Sequence, residues 1–260
     1  MFSKKQTFIS ILILTSAFLV KSSSSIETCN PPSKLLETLN GKIKGECYQA
    51  PVYYTRTNVT KIDVLSWLAI PYALPPINEN RFQNPIPVNS WAGTRDGTIP
   101  PKSCLQLGSA PEETSEDCLY LNIYVQSNSY ASRANSLKPI LVFIHGGSYT
   151  MGASTQFSPF TLVAMSDIVV VTINYRLNAL GFLHVRGTKV GGNQALLDTT
   201  LALKWISENA RMFGGDTSKI TISGESAGAW SVGFLLYYPK SWPYFRNGIM
   251  QSGGPTGISI

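Results

Sequence analysis

Residues 220–230 read Ile-Thr-Ile-Ser-Gly-Glu-Ser-Ala-Gly-Ala-Trp, and no other stretch of the chain restricts the fold as tightly. An apolar β-pattern ends at Ser223 and small, helix-compatible residues begin after it, with Ser226 at the junction between Gly224 and Gly228. A chain that turns this sharply from strand to helix holds the turning residue in a strained conformation and exposes its side chain. The two glycines leave room for the turn. Gly-x-Ser-x-Gly alone arises by chance in about one chain of this length in ten, so its flanks carry the argument. Lys219 to Ser223 is expected as a strand, and Ala227 to Leu236, small then apolar, as a buried helix packed under a sheet. Ser226 is the candidate nucleophile, since a serine hydroxyl becomes one only when exposed beside a base.

Upstream the pattern is that of parallel strands with helical crossovers. Ile140 to Ile144 and Asp167 to Ile173 are apolar runs, too short for helices and rich in β-branched residues. A helix is expected over about Gln194 to Ala210, with Leu197, Leu201 and Trp205 on one face and the FGGD run, Phe213 to Asp216, ending it. Gly248 to Gln251 reads as a last strand. Strand, helix, strand, helix, strand implies a right-handed, doubly wound, mostly parallel sheet. Before it, Gly41 to Ile70 alternates β-rich runs with turn residues and is expected as a peripheral antiparallel hairpin region. Pro75 to Gly93, rich in Pro and Asn, is expected as ordered loop, Leu119 to Gln126 as a strand, and Ser127 to Lys138 as a flexible polar break.

The first 25 residues place Lys4 and Lys5 before an apolar run from Phe8 to Val20 and small residues near Ser24, the pattern of a secretory signal peptide. The run is short of the roughly 18 residues a membrane span requires, so membrane association is expected only if the segment stays uncleaved. Its removal takes away Lys4, Lys5 and Lys21 and lowers the formal net charge from +6 to +3, so the basic balance belongs mostly to that segment. Without a Lys/Arg run interleaved with aromatics, the chain carries no nucleic-acid footprint. In an oxidising compartment Cys29, Cys47, Cys104 and Cys118 allow three pairings, of which sequence separation favours Cys29 with Cys47 and Cys104 with Cys118. Asn58-Val59-Thr60 is the single Asn-x-Ser/Thr sequon and a candidate glycan site.

A second chemical element follows the Ile140 strand directly: His145-Gly146-Gly147-Ser148-Tyr149 is a Gly-rich turn at a strand's carboxyl end. Attack of a serine on an ester creates an oxyanion, and preorganised N–H donors aimed at it are usually the largest catalytic contribution. Alone the turn is an ordinary glycine turn. Followed two strands later by Gly-x-Ser-x-Gly, it stands in the order that an α/β-hydrolase requires.

Together GESAGAW, HGGSY, SEDCLYLNIYV (Ser115 to Val125), VTINYRLNALGFL (Val171 to Leu183) and LALKWISENARMFGGD (Leu201 to Asp216) resemble the type-B carboxylesterase/cholinesterase family, from about Thr38 to the last residue. The resemblance implies one α/β-hydrolase domain over residues 26–260, with Ser226 as nucleophile and the amides of Gly147, Ser148 and Ala227 as oxyanion donors. Most members have a third glycine where Ser148 stands. It also implies that Cys104 and Cys118 close the family's first disulfide loop, that Arg176 and Asp216 form a structural ion pair, and that the substrate is a small-molecule ester hydrolysed with no metal or organic cofactor.

In this fold the acid and then the histidine come after the nucleophile, on later strands. Neither His145 nor His184 does, so both are expected to be structural, while Glu225 is either a partner for an imidazolium or a buried, hydrogen-bonded carboxylate. No histidine follows Ser226, and the resemblance implies roughly as much chain again. The sequence is therefore expected to be the N-terminal part of a longer secreted esterase, incomplete at its C-terminal end, with a natural truncation as the alternative. Two other readings compete. A catalytically inactive, neuroligin-like adhesion protein would share HGGSY and VTINYRL but usually lacks the elbow serine. A cholinesterase would carry its choline-binding tryptophan in the loop corresponding to Cys104 to Cys118, which here has none. A general carboxylesterase is the preferred expectation.

Overall fold

A computed structural model describes residues 28–53 and 58–254; the segment read as a signal peptide lies outside the described residues. Strands β1 (Thr28–Glu37), β2 (Lys42–Tyr53) and β3 (Val59–Pro71) pair antiparallel in succession, and β4 (Thr94–Asp96) adds parallel to β2. Strands β5 (Ser103–Cys104) and β6 (Thr114–Ser115) form a separate short pair. The sheet continues through β7 (Tyr120–Gln126), β8 (Lys138–Ile144), β9 (Val169–Ile173), β10 (Gly215–Glu225) and β11 (Asn247–Gln251). Its order is β1-β2-β3-β7-β9-β8-β10-β11, nine strands with β4. Strands β9, β8, β10 and β11 run parallel, and β7 joins antiparallel to β9. From β8 the chain moves to one side to make β9, then crosses back to the other side for β10 and β11. That reversal makes the sheet doubly wound and puts the carboxyl ends of β8 and β10 side by side, where such sheets bind ligands.

The expected hairpin is present as β2 and β3, but it is not peripheral, because β3 pairs directly with β7 and carries the antiparallel strands into the main sheet. Nor is Ser127 to Lys138 a flexible break. Helix α1 (Ser127–Ala131) starts it and Lys138 already belongs to β8. The reason is one aromatic side chain in a polar stretch: Tyr130 is buried 5.3 Å from the Trp67 ring, and the Arg133 guanidinium lies 3.9 Å from its ring centroid. Pro75 to Gly93 is ordered, held by bonds such as Leu74 N to Ile86 O and Trp91 N to Asn40 O, each 2.8 Å.

Helices cover the two faces unequally. Ile140, Val142, Ile144, Val171, Ile173 and Ile222 pack with α4 (Gln194–Asn209) and α5 (Ala227–Tyr237) in the main core, while α2 (Phe160–Met165) covers a smaller cluster with Val52, Val64 and Val170 on the opposite face. A short α3 (Asn178–Phe182) precedes α4. The fully buried face of α4 is not the expected stripe. Of that stripe Trp205 is buried and Leu201 packs half-buried against the main core, but the fully buried positions are Ala195, Thr199, Ala202 and Ile206, the first three small enough to let the helix approach closely. Leu197 instead faces α5 across a groove shared with Phe234 and Tyr238. No helix among the described residues is long and apolar enough to cross a membrane.

Candidate active site

Ser226 sits between β10 and α5 with φ 54° and ψ −119°. A non-glycine residue there is strained, by roughly 1–3 kcal/mol, and persists only where its surroundings fix it. They do so through the backbone: Ser226 N donates to Gln251 O at 2.9 Å, and Ser226 O accepts from Trp230 N at 3.1 Å. The glycines are steric requirements. A Cβ on Gly224 would lie 2.3 Å from Gly228 C and O, and one on Gly228 would lie 2.1 Å from Ile144 O, so α5 begins in backbone contact with β8. The Ser226 side chain is half-buried, and among the described residues nothing hydrogen-bonds its Oγ.

The turn after β8 lies against this elbow. A Cβ on Gly146 would meet Glu225 O at 2.6 Å and Ser226 Cβ at 3.2 Å, which places the two catalytic candidates in contact. Gly147, Ser148 and Tyr149 then take positive φ in succession, 103°, 54° and 60°. Thr150 N and Met151 N close the turn onto Gly147 O at 2.9 and 3.0 Å. Among the described residues no acceptor takes up the N–H of Gly147 or Ser148, and the Ala227 N–H is the first of α5, without an intrahelical partner. The arrangement therefore combines a half-buried, unbonded hydroxyl with three uncommitted N–H donors from two elements.

Both histidines are engaged elsewhere. His145 is buried, stacked on Tyr175 at 4.3 Å, and its Nδ1 lies 2.9 Å from Gly146 O. Because a carbonyl only accepts, Nδ1 carries the proton. Burial pushes its pKa down to about 4, leaving a neutral ring. His184 is exposed with Nδ1 3.0 Å from Gly191 O. Glu225 is half-buried and, among the described residues, its carboxylate makes no hydrogen bond, unlike the buried, hydrogen-bonded alternative expected for it.

One expectation is overturned: Arg176 does not pair with Asp216. Its Nε and Nη2 meet Asp198 Oδ2 and Oδ1 at 2.8 and 2.6 Å, both residues being buried, and its Nη1 donates to Gln83 O at 2.8 Å. Asp216 instead accepts from Ser218 N and Oγ and pairs with Lys219 at 3.1 Å. Topology explains the difference. Arg176 follows the carboxyl end of β9 and Asp216 begins β10, and since both strands point the same way the two residues lie at opposite ends of the sheet.

A profile of the family described as "Carboxylesterase family" matches residues 32–258. The chain belongs to that carboxylesterase family. It is 42% identical over 193 residues to Esterase E4 of Myzus persicae, covering 73% of this chain and 35% of that protein. It is 35% identical over 256 residues to Acetylcholinesterase-1 of Trittame loki, covering 95% of this chain and 44% of that protein. Among solved structures it is similar to PNB esterase, with a TM-score of 0.72, 37% identity, and coverage of 85% of this chain and 44% of that one. The fold is that of an α/β-hydrolase, and the chain spans less than half the length of these relatives.

Around the carboxylesterase-family elbow the structure adds residues that the motifs do not contain. Cys104 and Cys118 are bonded, as are Cys29 and Cys47. Inside the Cys104–Cys118 loop, Gln106 accepts from Gly152 N through Oε1 at 2.8 Å and donates to Gly152 O through Nε2 at 3.0 Å, so the loop is tied to the Gly-rich turn. A Cβ on Gly152 would lie 2.4 Å from His145 Nδ1, which leaves only glycine beside the stacked ring. Tyr175 donates its hydroxyl to His145 O at 2.7 Å. Nothing in the spacing of a glutamine or a tyrosine marks these roles, because each partner is distant in sequence. The one grouping of possible metal ligands among the described residues, Cys29, Cys47 and Asp63, has both sulfurs committed to a disulfide.

Proposed function

We propose that this chain is the N-terminal part of a secreted serine carboxylesterase. The observation that carries the reading is the contact at Gly146 between the strained Ser226 elbow and the turn whose Gly147 and Ser148 amides, with that of Ala227, have no acceptor among the described residues. Ser226 Oγ attacks the acyl carbon of a small-molecule ester as its proton passes to a base. The carbonyl oxygen becomes an oxyanion facing the three N–H groups, and the alcohol leaves as the acyl-enzyme forms. Water then releases the acid by the reverse proton path. Neither His145 nor His184 serves as the base in this reading: the first is stacked on Tyr175 with its Nδ1 on Gly146 O and, pushed down to a pKa of about 4, is too weakly basic, and the second is tied to Gly191 on the surface. A histidine and an acid from sequence beyond residue 260 complete the site. No metal or organic cofactor enters this reaction.

Within the family the reading favours a general carboxylesterase over a cholinesterase. The Cys104–Cys118 loop contains no tryptophan to stack on a quaternary ammonium. Secretion rests on the sequence of residues 1–25, and the exposed position of Asn58 at the start of β3 suits a glycan. The test is to express the full-length protein in a eukaryotic secretory host and compare p-nitrophenyl esters with acetylthiocholine. Recovery from the medium and p-nitrophenyl ester turnover that falls on the order of 10³-fold or more in Ser226→Ala are expected. Turnover that survives Ser226→Ala would refute the assignment, and acetylthiocholine as the better substrate would favour the cholinesterase reading.

A further inference from the structure

An oxyanion site assembled from two elements works only if the elements keep their spacing to within tenths of an ångström. Here the turn after β8 supplies Gly147 and Ser148, and α5 supplies Ala227. Among the described residues one side-chain hydrogen bond joins them directly. Tyr149, the residue after the donors, has its Oη 3.1 Å from Ser231 Oγ, and Ser231 lies one helical turn after Ala227. Ser231 is buried and donates its single hydroxyl proton to Ala227 O at 3.1 Å. With that proton spent, Tyr149 must be the donor of the pair. The chain of bonds therefore runs from the tyrosine hydroxyl to the serine hydroxyl to the carbonyl of the residue whose N–H is the third donor.

The backbone at Tyr149 makes such a link necessary. Ser148 and Tyr149 are consecutive non-glycine residues in the left-handed region, at 54° and 60°. Each is a costly conformation that packing must impose. Around Tyr149 the ring rests 4.8 Å from Phe182, 6.3 Å from Trp230 and 6.4 Å from Tyr175, and its carbonyl accepts from Asn178 N at 2.8 Å. These contacts fix the ring, while the hydroxyl sets its distance from α5.

We infer that Tyr149 and Ser231 are positioning residues that hold the Gly147/Ser148 amides in register with the Ala227 amide. This rests on the esterase reading for its consequence but not for its geometry, and two measurements separate them. The first is amide hydrogen exchange over residues 146–150 of the full-length protein. Tyr149→Phe keeps the ring and Ser231→Ala leaves little void, so both are expected to fold, with exchange of the turn amides faster by about tenfold and that of β8 unchanged. The second is ester kinetics. Each variant is expected to lower kcat by about tenfold with little change in KM, and the double variant to lose no more than either single one, since both break the same link. Turn amides that exchange at the wild-type rate in Tyr149→Phe and Ser231→Ala overturn the inference, as do additive losses in kcat. If the wild-type protein hydrolyses no ester, the esterase reading fails, and the exchange comparison still decides whether the link holds the turn.

Discussion

Buried against Tyr175 with its Nδ1 proton committed to Gly146 O, His145 has its pKa pushed from the ordinary 6.5 down to about 4. Below pH 6.5 the unfolded chain therefore takes up a proton that the folded chain refuses until about pH 4, so stability falls with pH across that window. The full loss is about 3 kcal/mol, the gap between the two pKa values expressed as free energy. Urea unfolding at pH 7 and pH 4.5 is expected to show most of it, and His145→Phe, which keeps a ring for Tyr175, to flatten the dependence. Asp96, Asp167 and Asp216 are held below the usual carboxylate range chiefly by their bonds to Thr98, Lys138 and Ser218, so their own acid losses fall below about pH 4 and do not overlap. A slope between pH 7 and 4.5 that is undiminished in His145→Phe would contradict this assignment. At this scale the sequence was informative where chemistry is local. Ser226 and its glycines are fixed by a turn of five residues, whereas the partner of Arg176 depended on which end of a parallel sheet each residue occupies.

The disulfide loop is more than a staple on the surface. Closing a separation of 14 residues, Cys104–Cys118 restrains the unfolded chain by about 3 kcal/mol in the chain-entropy picture, and through Gln106 it also braces the Gly-rich turn at Gly152. A Cys104→Ser, Cys118→Ser double variant is expected to lose about that much unfolding free energy and to become susceptible to proteolysis within residues 105–117. An unchanged denaturation midpoint would show that the loop is held by other contacts. The elements of the parallel sheet were legible because apolar β-branched runs and a helix stop such as FGGD are strong signals. Strand β1 and helix α1 were not. The first is polar and paired along one edge only, and the second owes its position to Tyr130 packing under Trp67. The face of α4 was only partly legible for a related reason, since hydrophobicity pointed to Leu197 as well as to Leu201 and Trp205, while close packing buried Ala195, Thr199 and Ala202.

At the scale of the whole molecule, the winding reversal at β8 brings the turn after β8 and the elbow after β10 to one rim of the sheet. Beside them an open groove of about 400 Å³, lined by Phe143, Phe157, Leu162 and Ile249, runs up to Glu225 and Gln251. All five residues of β11 are exposed, and among the described residues no strand pairs with its outer edge. A doubly wound parallel sheet followed from the alternation of strand and helix, but the order of its strands and the junction of the antiparallel and parallel halves through β7 required the pairing itself. The most direct measurement is covalent. Full-length protein treated with an organophosphate and digested should carry one adduct per chain, on the peptide containing Ser226, in proportion to lost ester turnover, and Ser226→Ala should carry none. An adduct on another residue, or labelling undiminished in Ser226→Ala, would contradict the central claim that the elbow serine is the nucleophile.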